Sequence, residues 1–148
     1  MDILEKITGW LRTFPLWEGE LTVDSIEPIP GSVGIFPRGV EELSRREDVL
    51  GNVQLRNRLE LMLYRVSDGD GEQAAGWLLA LQEWINGQSA AGLAPQLGDV
   101  PGEEKLFARQ GRLSAPAQTG TGRYAVMITA EYVTKMHNTF PQGEVLNE

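Results

Sequence analysis

The fold is decided by the stretch Asn52-Val-Gln-Leu-Arg-Asn-Arg-Leu-Glu-Leu-Met-Leu-Tyr-Arg-Val66 and by the residues that follow it as far as Ile85. Polar side chains occupy most of its even positions, and apolar ones occupy these odd positions: Val53, Leu55, Leu59, Leu61 and Leu63. A period of two is typical of a β-strand with one buried face. The stretch therefore predicts one long strand over residues 52–66.

After Ser67-Asp-Gly-Asp-Gly71 the period changes from that of a strand to that of a helix. Apolar residues now recur on one helical face: Trp77, Leu78, Leu81, Trp84 and Ile85. Asp70 with Gln73 forms a variant of the capping box, and Asn86-Gly87 is a typical helix end. We expect a helix over residues 71–86 that packs on the apolar face of the long strand.

Length and composition exclude several classes of protein. A chain of 148 residues is large enough for one domain with a substantial core, and it has no cysteine for disulfide or thiolate chemistry. The formal charge of −8 argues against broad attraction to nucleic acid or anionic lipid. No apolar run approaches the ~20 residues of a membrane span. These features predict a soluble, acidic, intracellular domain.

The rest of the chain predicts an α+β fold: a mainly antiparallel sheet with one long central strand, packed by an N-terminal helix and a central amphipathic helix. Asp2 begins a first helix over residues 3–13, which Pro15 ends. Further strands are predicted at 20–27 and 32–36, joined as a hairpin, and at 105–113 and 123–135. Residues 1–135 are predicted to form one domain, and residues 136–148 a flexible C-terminal tail.

The long strand is too long for the domain that holds it. Asn52–Val66 would span about 50 Å at ~3.3 Å per residue, whereas a compact chain of this length is about 40 Å across. Either the strand bends at Asn57, or its first half leaves the domain as a β-arm paired with residues near 45–51. We favour an arm over residues 38–58.

Five arginines lie on or beside this arm: Arg38, Arg45, Arg46, Arg56 and Arg58. Extended segments with alternating Arg and Glu are suited to gripping a neighbouring subunit. The same pattern also fits a strand face that is simply solvated. We take the five arginines as candidates for a subunit or tube interface.

No catalytic or metal-binding arrangement is visible. The single histidine, His137, follows the last predicted strand, and there is no second imidazole or thiol to complete a transition-metal site. Asp68-Gly-Asp-Gly-Glu72 lacks the alternating ligands and the distant glutamate of a calcium-binding EF-hand loop. The sequence therefore predicts no enzyme activity, no cofactor and no metal.

The order of parts resembles a known family. The resemblance lies in a first helix that ends at Phe14-Pro-Leu-Trp17, the run Leu21-Thr-Val-Asp-Ser-Ile-Glu-Pro-Ile-Pro30, the long strand, the helix from Trp77 to Ile85, and the closing strand Arg123-Tyr-Ala-Val-Met-Ile-Thr-Ala-Glu-Tyr132. These parts look like the small tail proteins of prophages of Gram-positive bacteria, often labelled minor capsid proteins, which are similar to the tail terminator proteins of long-tailed phages. The resemblance covers residues 2–135 and lies in the order of the elements and in the quoted sequence runs, and it includes no single diagnostic motif.

The resemblance implies a structural virion protein. Such a protein would cap the head-proximal end of the tail tube as a homohexameric ring, end tube polymerisation and provide the head-joining surface. The implied partners are other copies of the chain, the tail tube protein and a head-joining or connector protein, with no membrane. DNA would pass through the ring without specific binding, because an acidic wall neutralises few phosphates. The implied location is the virion tail, and the host cytoplasm during assembly.

Two other functions stay open. The first is a different virion joint, such as a head-completion protein or a tail-tube component, which would share the same assembly logic. The second is a small enzyme or a regulatory binding domain of the host. A deep polar pocket lined by acids such as Glu60 or Glu131 would favour this second alternative.

Overall fold

The computed structural model of the chain describes residues 2–67, 71–115 and 122–136. These residues form two helices and five strands with the following bounds: α1 Ile3–Leu11, β1 Leu21–Val23, β2 Val33–Glu47, β3 Val53–Ser67, α2 Gly71–Ala90, β4 Lys105–Ala115 and β5 Gly122–Met136. The fold class is α+β, as predicted. Asp70, His137 and the remainder of the predicted tail lie outside the described residues.

The five strands form one sheet in the order β1-β2-β3-β5-β4. β3 is the long central strand that the sequence predicts, and it pairs antiparallel with β2 on one side and with β5 on the other. The predicted pairing near residues 45–51 is confirmed for Arg45–Glu47, which face Val53–Leu55. However, this half of β3 is not a separate two-stranded arm, because β5 pairs along its other side as far as Met136.

Both helices contribute to a core on one face of the sheet. The odd-numbered residues of β3 that form the middle of this face, Leu59, Leu61 and Leu63, are buried. α2 covers them with its own buried side chains, which are Trp77, Leu78, Leu81 and Ile85. This confirms the predicted packing of the central helix. Among the described residues, no helix has both the length and the apolar character needed to cross a membrane.

The N-terminal helix begins and packs as predicted. The Asp2 carboxylate accepts a hydrogen bond from the N–H of Glu5 at 2.7 Å, which satisfies one free donor of the first turn. The α-helix ends at Leu11, two residues before the predicted end. Trp10 then packs on Trp84, with ring centroids 4.9 Å apart, so the partly buried Trp84 joins the two helices.

The predicted hairpin between β1 and β2 is wrong, because the two strands are parallel. In the connection between them, Ser25 and Ile26 pack against Gly34 of β2. Gly34 makes this route possible, since a Cβ atom there would lie 2.5 Å from the carbonyl oxygen of Ser25. Gly31 completes the return with a φ of 88°, a value that glycine adopts without strain.

Candidate assembly surface

The outer edge of β2 is the most unusual feature of the sheet. β1 covers this edge only where Leu21–Val23 pair with Val33–Ile35. Along residues 36–47, no other strand in the described part of the chain pairs with β2 on that side. An unpaired edge presents rows of N–H and C=O groups that can bind another strand. We call residues 40–47 of β2 the open edge.

In an antiparallel pair of strands, hydrogen-bonded residue pairs alternate with non-hydrogen-bonded ones, and this alternation decides which backbone groups of β2 point away from β3. Even-numbered residues of β3 bond toward β2: the N–H of Val66 donates to the C=O of Ser32 at 3.0 Å. Residues of β2 that face odd-numbered positions of β3 therefore turn their N–H and C=O groups away from the sheet. Within the open edge these residues are Val40, Glu42, Arg45 and Glu47.

Two irregularities interrupt β2. The register with β3 shifts between Pro37 and Gly39 and again between Glu42 and Ser44. Bulges of this kind twist a strand and protect its edge from random pairing. A strand that pairs along the whole open edge must therefore match the second shift, which lies in the middle of that edge.

The turn between β2 and β3 has a polar base and an apolar tip. The Asp48 carboxylate accepts hydrogen bonds from the N–H of Asn52 at 3.0 Å and the N–H of Leu50 at 2.8 Å. These bonds, the one from Asn52 foremost, hold the pKa of Asp48 below its usual value of 3.8. Val49 is 100% exposed and Leu50 69% exposed. An ordered turn thus presents two apolar side chains to solvent.

Two of the five predicted interface arginines bind carboxylates of their own chain. Arg56 Nε lies 3.3 Å from Glu131 Oε1, and Arg56 Nη1 lies 3.3 Å from Glu103 Oε1. Arg58 Nη2 lies 3.7 Å from Glu131 Oε2. β5 brings Glu131 beside both arginines, a neighbour that sequence spacing did not reveal. Arg56 and Arg58 are therefore not the free cations that the arm prediction assumed.

The other three arginines of the set are exposed: Arg38, Arg45 and Arg46. Arg45 Nη2 lies 3.6 Å from Glu42 Oε1, and both side chains are about half exposed. Such a pair contributes little to stability and can exchange partners easily. Within the described residues, no ion pair involves Arg38 or Arg46. Their role in an interface stays a prediction.

At the opposite edge of the sheet, α2 covers β4 at Leu106 and Ala108. Asn86 Oδ1 accepts a hydrogen bond from the N–H of Ala108 at 2.8 Å, while Asn86 Nδ2 donates to the C=O of Ala108 at 2.9 Å. Ser89 Oγ accepts a bond from the N–H of Leu106 at 3.0 Å. The Asn86 amide thus does for β4 what a neighbouring strand would do, with one donor and one acceptor.

This contact also explains why the predicted helix end is wrong. Asn86-Gly87 is typical of a helix end, but α2 continues to Ala90. The additional helical turn places Ser89, three residues after Asn86, where it also binds β4. The chain leaves the helix at Gly92, whose φ of 75° suits glycine, while the N–H of Leu93 donates to the C=O of Gln88 at 2.8 Å.

The face of the sheet opposite the helices has a depression but no deep acidic pocket among the described residues. The depression is open, has a volume of about 270 Å³ and is lined by Arg58, Glu60, Phe107, Arg109, Thr129 and Glu131. Its Glu131 is already paired with arginines. No group of three or more acidic, histidine or cysteine side chains in the described ranges could hold a metal ion. Nothing in this depression favours the host-enzyme alternative.

Some residues of the two edges carry a sequence signal and others carry none. Val49-Leu50 lies between Asp48 and Gly51-Asn52, so an apolar pair inside a run of turn-forming residues was a signal for an exposed tip. Asn86 and Ser89 carried no such signal, because their partners are distant in sequence.

Comparison with known proteins adds no relative: the chain matches no protein-family model, and a search of the curated proteins finds no significant match.

Proposed function

We propose that this protein is a structural subunit of a long-tailed phage that caps the head-proximal end of the tail tube as a ring. The ring, expected to contain six copies, ends tube polymerisation and offers the surface to which the head is joined. The protein would work without catalysis, in the host cytoplasm during assembly and in the virion tail afterwards. Its partners would be its own copies, the tail tube protein and a head-joining or connector protein.

The observation that carries the proposal is the open edge of β2 together with the apolar tip of the β2–β3 turn. An unpaired edge and two exposed apolar side chains, Val49 and Leu50, are liabilities for a subunit that stays alone. They are useful for a subunit that is buried in an assembly. The family resemblance of residues 2–135 supplies the kind of assembly.

The charge of the chain supports the expected passage of DNA. The 21 acidic side chains outnumber the 13 Lys and Arg side chains and give a formal charge of −8, so counterion release on contact with DNA would give little affinity. Several arginines that could bind phosphate are already paired, as Arg56 and Arg58 are with Glu131. We expect DNA to pass through the ring without specific binding.

Electron microscopy of the purified protein mixed with tail tubes tests the proposal. We expect ring-shaped density at one end of each tube and no further growth when free tube protein is added. Binding along the whole tube would instead identify a tube component, and binding to head connectors alone would identify a head-completion protein. A protein that binds neither tubes nor connectors would refute the proposal.

A pair of variants locates the surface. Val49→Ser with Leu50→Ser removes the apolar tip, and we expect tube capping to be lost while the fold is kept. The matched control is Leu93→Ser, since Leu93 is a similarly exposed leucine in the loop after α2. If the tip variant caps tubes as well as the control does, the tip is not part of the ring or tube contact.

A further inference from the structure

We propose that the open edge of β2 pairs with the open edge of a second copy, antiparallel, about a twofold axis between Leu43 and Ser44. The free subunit would then be a dimer in which one sheet continues into the next. This inference does not rest on the proposed tail function, because it follows from the backbone and charges of one strand.

The charge sequence of the open edge is complementary to itself. The strand reads Val40-Glu-Glu-Leu-Ser-Arg-Arg-Glu47, with two acids before the midpoint and two bases after it. Antiparallel pairing about the midpoint sets Glu42 opposite Arg45 of the second copy and Glu41 opposite Arg46. The twofold axis repeats both pairs. Opposite charges directly across a strand pair stabilise it, whereas like charges destabilise it.

The backbone groups match in the same register. Glu42 and Arg45 both turn their N–H and C=O groups outward, so they can form a hydrogen-bonded pair across the axis. Val40 and Glu47 form the next such pair. The register shift between Glu42 and Ser44 lies at the axis, so each copy brings the same irregularity. A slip of one residue would set outward groups against inward ones.

The side chains match as well. Glu42 and Arg45 face Asn57 and Leu55 of β3, two odd-numbered positions, so both side chains lie on the helix-covered face of the sheet. The ion pair across the axis therefore forms on one side of the extended sheet. The present contact between Glu42 and Arg45 within the chain, at 3.6 Å, is weak enough to be exchanged.

The dimer would also bury exposed apolar side chains, namely Val40, Val49 and Leu50. The register carries the tip of one copy, Val49 and Leu50, toward Pro37–Val40 of the other. Val40 is 60% exposed in the single chain. Burial of these side chains adds apolar contact at both ends of the paired strands, where charge pairs alone would be screened by salt.

The dimer would be a form of the free subunit. A twofold contact closes after two copies and cannot by itself generate a ring of six. If the ring of the proposed function forms through the open edge, the paired edges of the dimer must first separate. The dimer therefore protects the edge from aggregation until assembly begins.

Light scattering of size-separated protein, measured over a range of concentrations, tests the dimer. We expect the wild-type chain to dimerise. Arg45→Glu with Arg46→Glu makes the edge wholly acidic, and Glu41→Arg with Glu42→Arg makes it largely basic. Each variant alone should have its dimer weakened by about 100-fold or more, because attractive pairs become repulsive ones. An equal mixture of the two variants should recover a heterodimer.

Two further variants serve as controls. The protein with all four substitutions restores complementarity to itself and should dimerise, which shows that the substitutions do not damage the hairpin. Arg12→Glu with Lys105→Glu reverses two exposed cations elsewhere and should leave the dimer unchanged. The proposal would be overturned by a monomeric wild type, by a single-sign variant that dimerises as strongly as the wild type, or by a mixture that dimerises no better than either variant alone. None of these measurements uses tail tubes, so tube capping can fail or succeed independently.

Discussion

The two edges of this sheet solve the same problem in opposite ways. On β4, the N–H and C=O of Ala108 are bound by Asn86, and the N–H of Leu106 is bound by Ser89. On the outer side of β2, the described structure offers no partner strand beyond the short β1, and residues 40–47 stay open. The difference teaches that this chain can close an edge with side chains and yet leaves one edge available.

Closure with side chains has a consequence for specificity. The amide of Asn86 supplies one donor and one acceptor at a single position of β4, so it satisfies the backbone there without attracting a second chain. The open edge uses charges and a bulge instead, which exclude most strands and admit a complementary one. The same backbone chemistry is thus bound by side chains at Leu106 and Ala108 on one edge and left selectively open on the other.

The strongest test of this contrast compares a leucine of α2, which covers β4, with a leucine at the apolar tip. Leu81 of α2 is fully buried between helix and sheet, so Leu81→Ala should lower the free energy of unfolding by about 2–5 kcal/mol. Leu50→Ala at the apolar tip should change it by less than about 0.5 kcal/mol. Chemical denaturation measures both. A loss below about 1 kcal/mol for Leu81 would mean that α2 does not hold this edge.

Removal of the closing amide should have the next largest effect. Asn86→Ala leaves the buried N–H and C=O of Ala108 without partners, and we expect a loss of about 1–3 kcal/mol in the free energy of unfolding. Amide hydrogen exchange at Ala108 should become faster. Gln88→Ala on the same helix is the control and should leave this exchange unchanged. Equal exchange rates in the two variants would contradict the role given to Asn86.

Substitution of Arg56 and of Arg46 compares the stability contributed by an arginine that is ion-paired within the chain with that contributed by an exposed arginine of the open edge. Arg56→Gln breaks its ion pairs with Glu131 and Glu103, and because Arg56 is largely buried we expect a loss of roughly 1 kcal/mol in stability. Arg46→Gln at the open edge should cost almost nothing. Thermal and chemical unfolding of the two variants provide the comparison. If both variants unfold like wild type, the pairs with Glu131 and Glu103 add no stability.

Much of this fold could be predicted because the pattern of nearby residues indicates most of its helices and strands. The period of two across Val53–Leu63 and the helical spacing from Trp77 to Ile85 each depend on residues close together in sequence. The prediction is confirmed for Leu59, Leu61 and Leu63 and for most of the helical face, whereas Val53 and Leu55 lie outside the core and Trp84 is only partly buried. Asp2 as a helix cap is a local signal too, and the structure confirms it.

The errors came from contacts between distant residues. The end of α2 was predicted at Asn86-Gly87 because nothing local shows that β4 needs the Asn86 amide. Arg56 was taken as free because Glu131 lies on another strand. β1 was predicted to form a hairpin with β2 because its parallel pairing depends on the room that Gly34 leaves for Ser25. Sequence spacing reveals a residue's own periodicity but not its neighbour across the sheet.

The smallest expected effect concerns the turn at the end of the open edge. The folded pKa of Asp48 is lowered below 3.8, chiefly by the hydrogen bond from the N–H of Asn52. A lowered folded pKa means that the carboxylate stabilises the turn fully above the unfolded value, and that this contribution is lost as pH falls through the folded value. The N–H signals of Leu50 and Asn52 should therefore be constant near neutral pH and shift together below the usual aspartate range. Asp48→Asn keeps the shape of the side chain but cannot titrate, so its turn signals should not follow pH in this way.

Because Asp48 is exposed, overall unfolding should hardly change in the variant. Nuclear magnetic resonance titration of both proteins decides the matter: a wild-type turn that titrates at or above 3.8 would show that the carboxylate does not organise the tip.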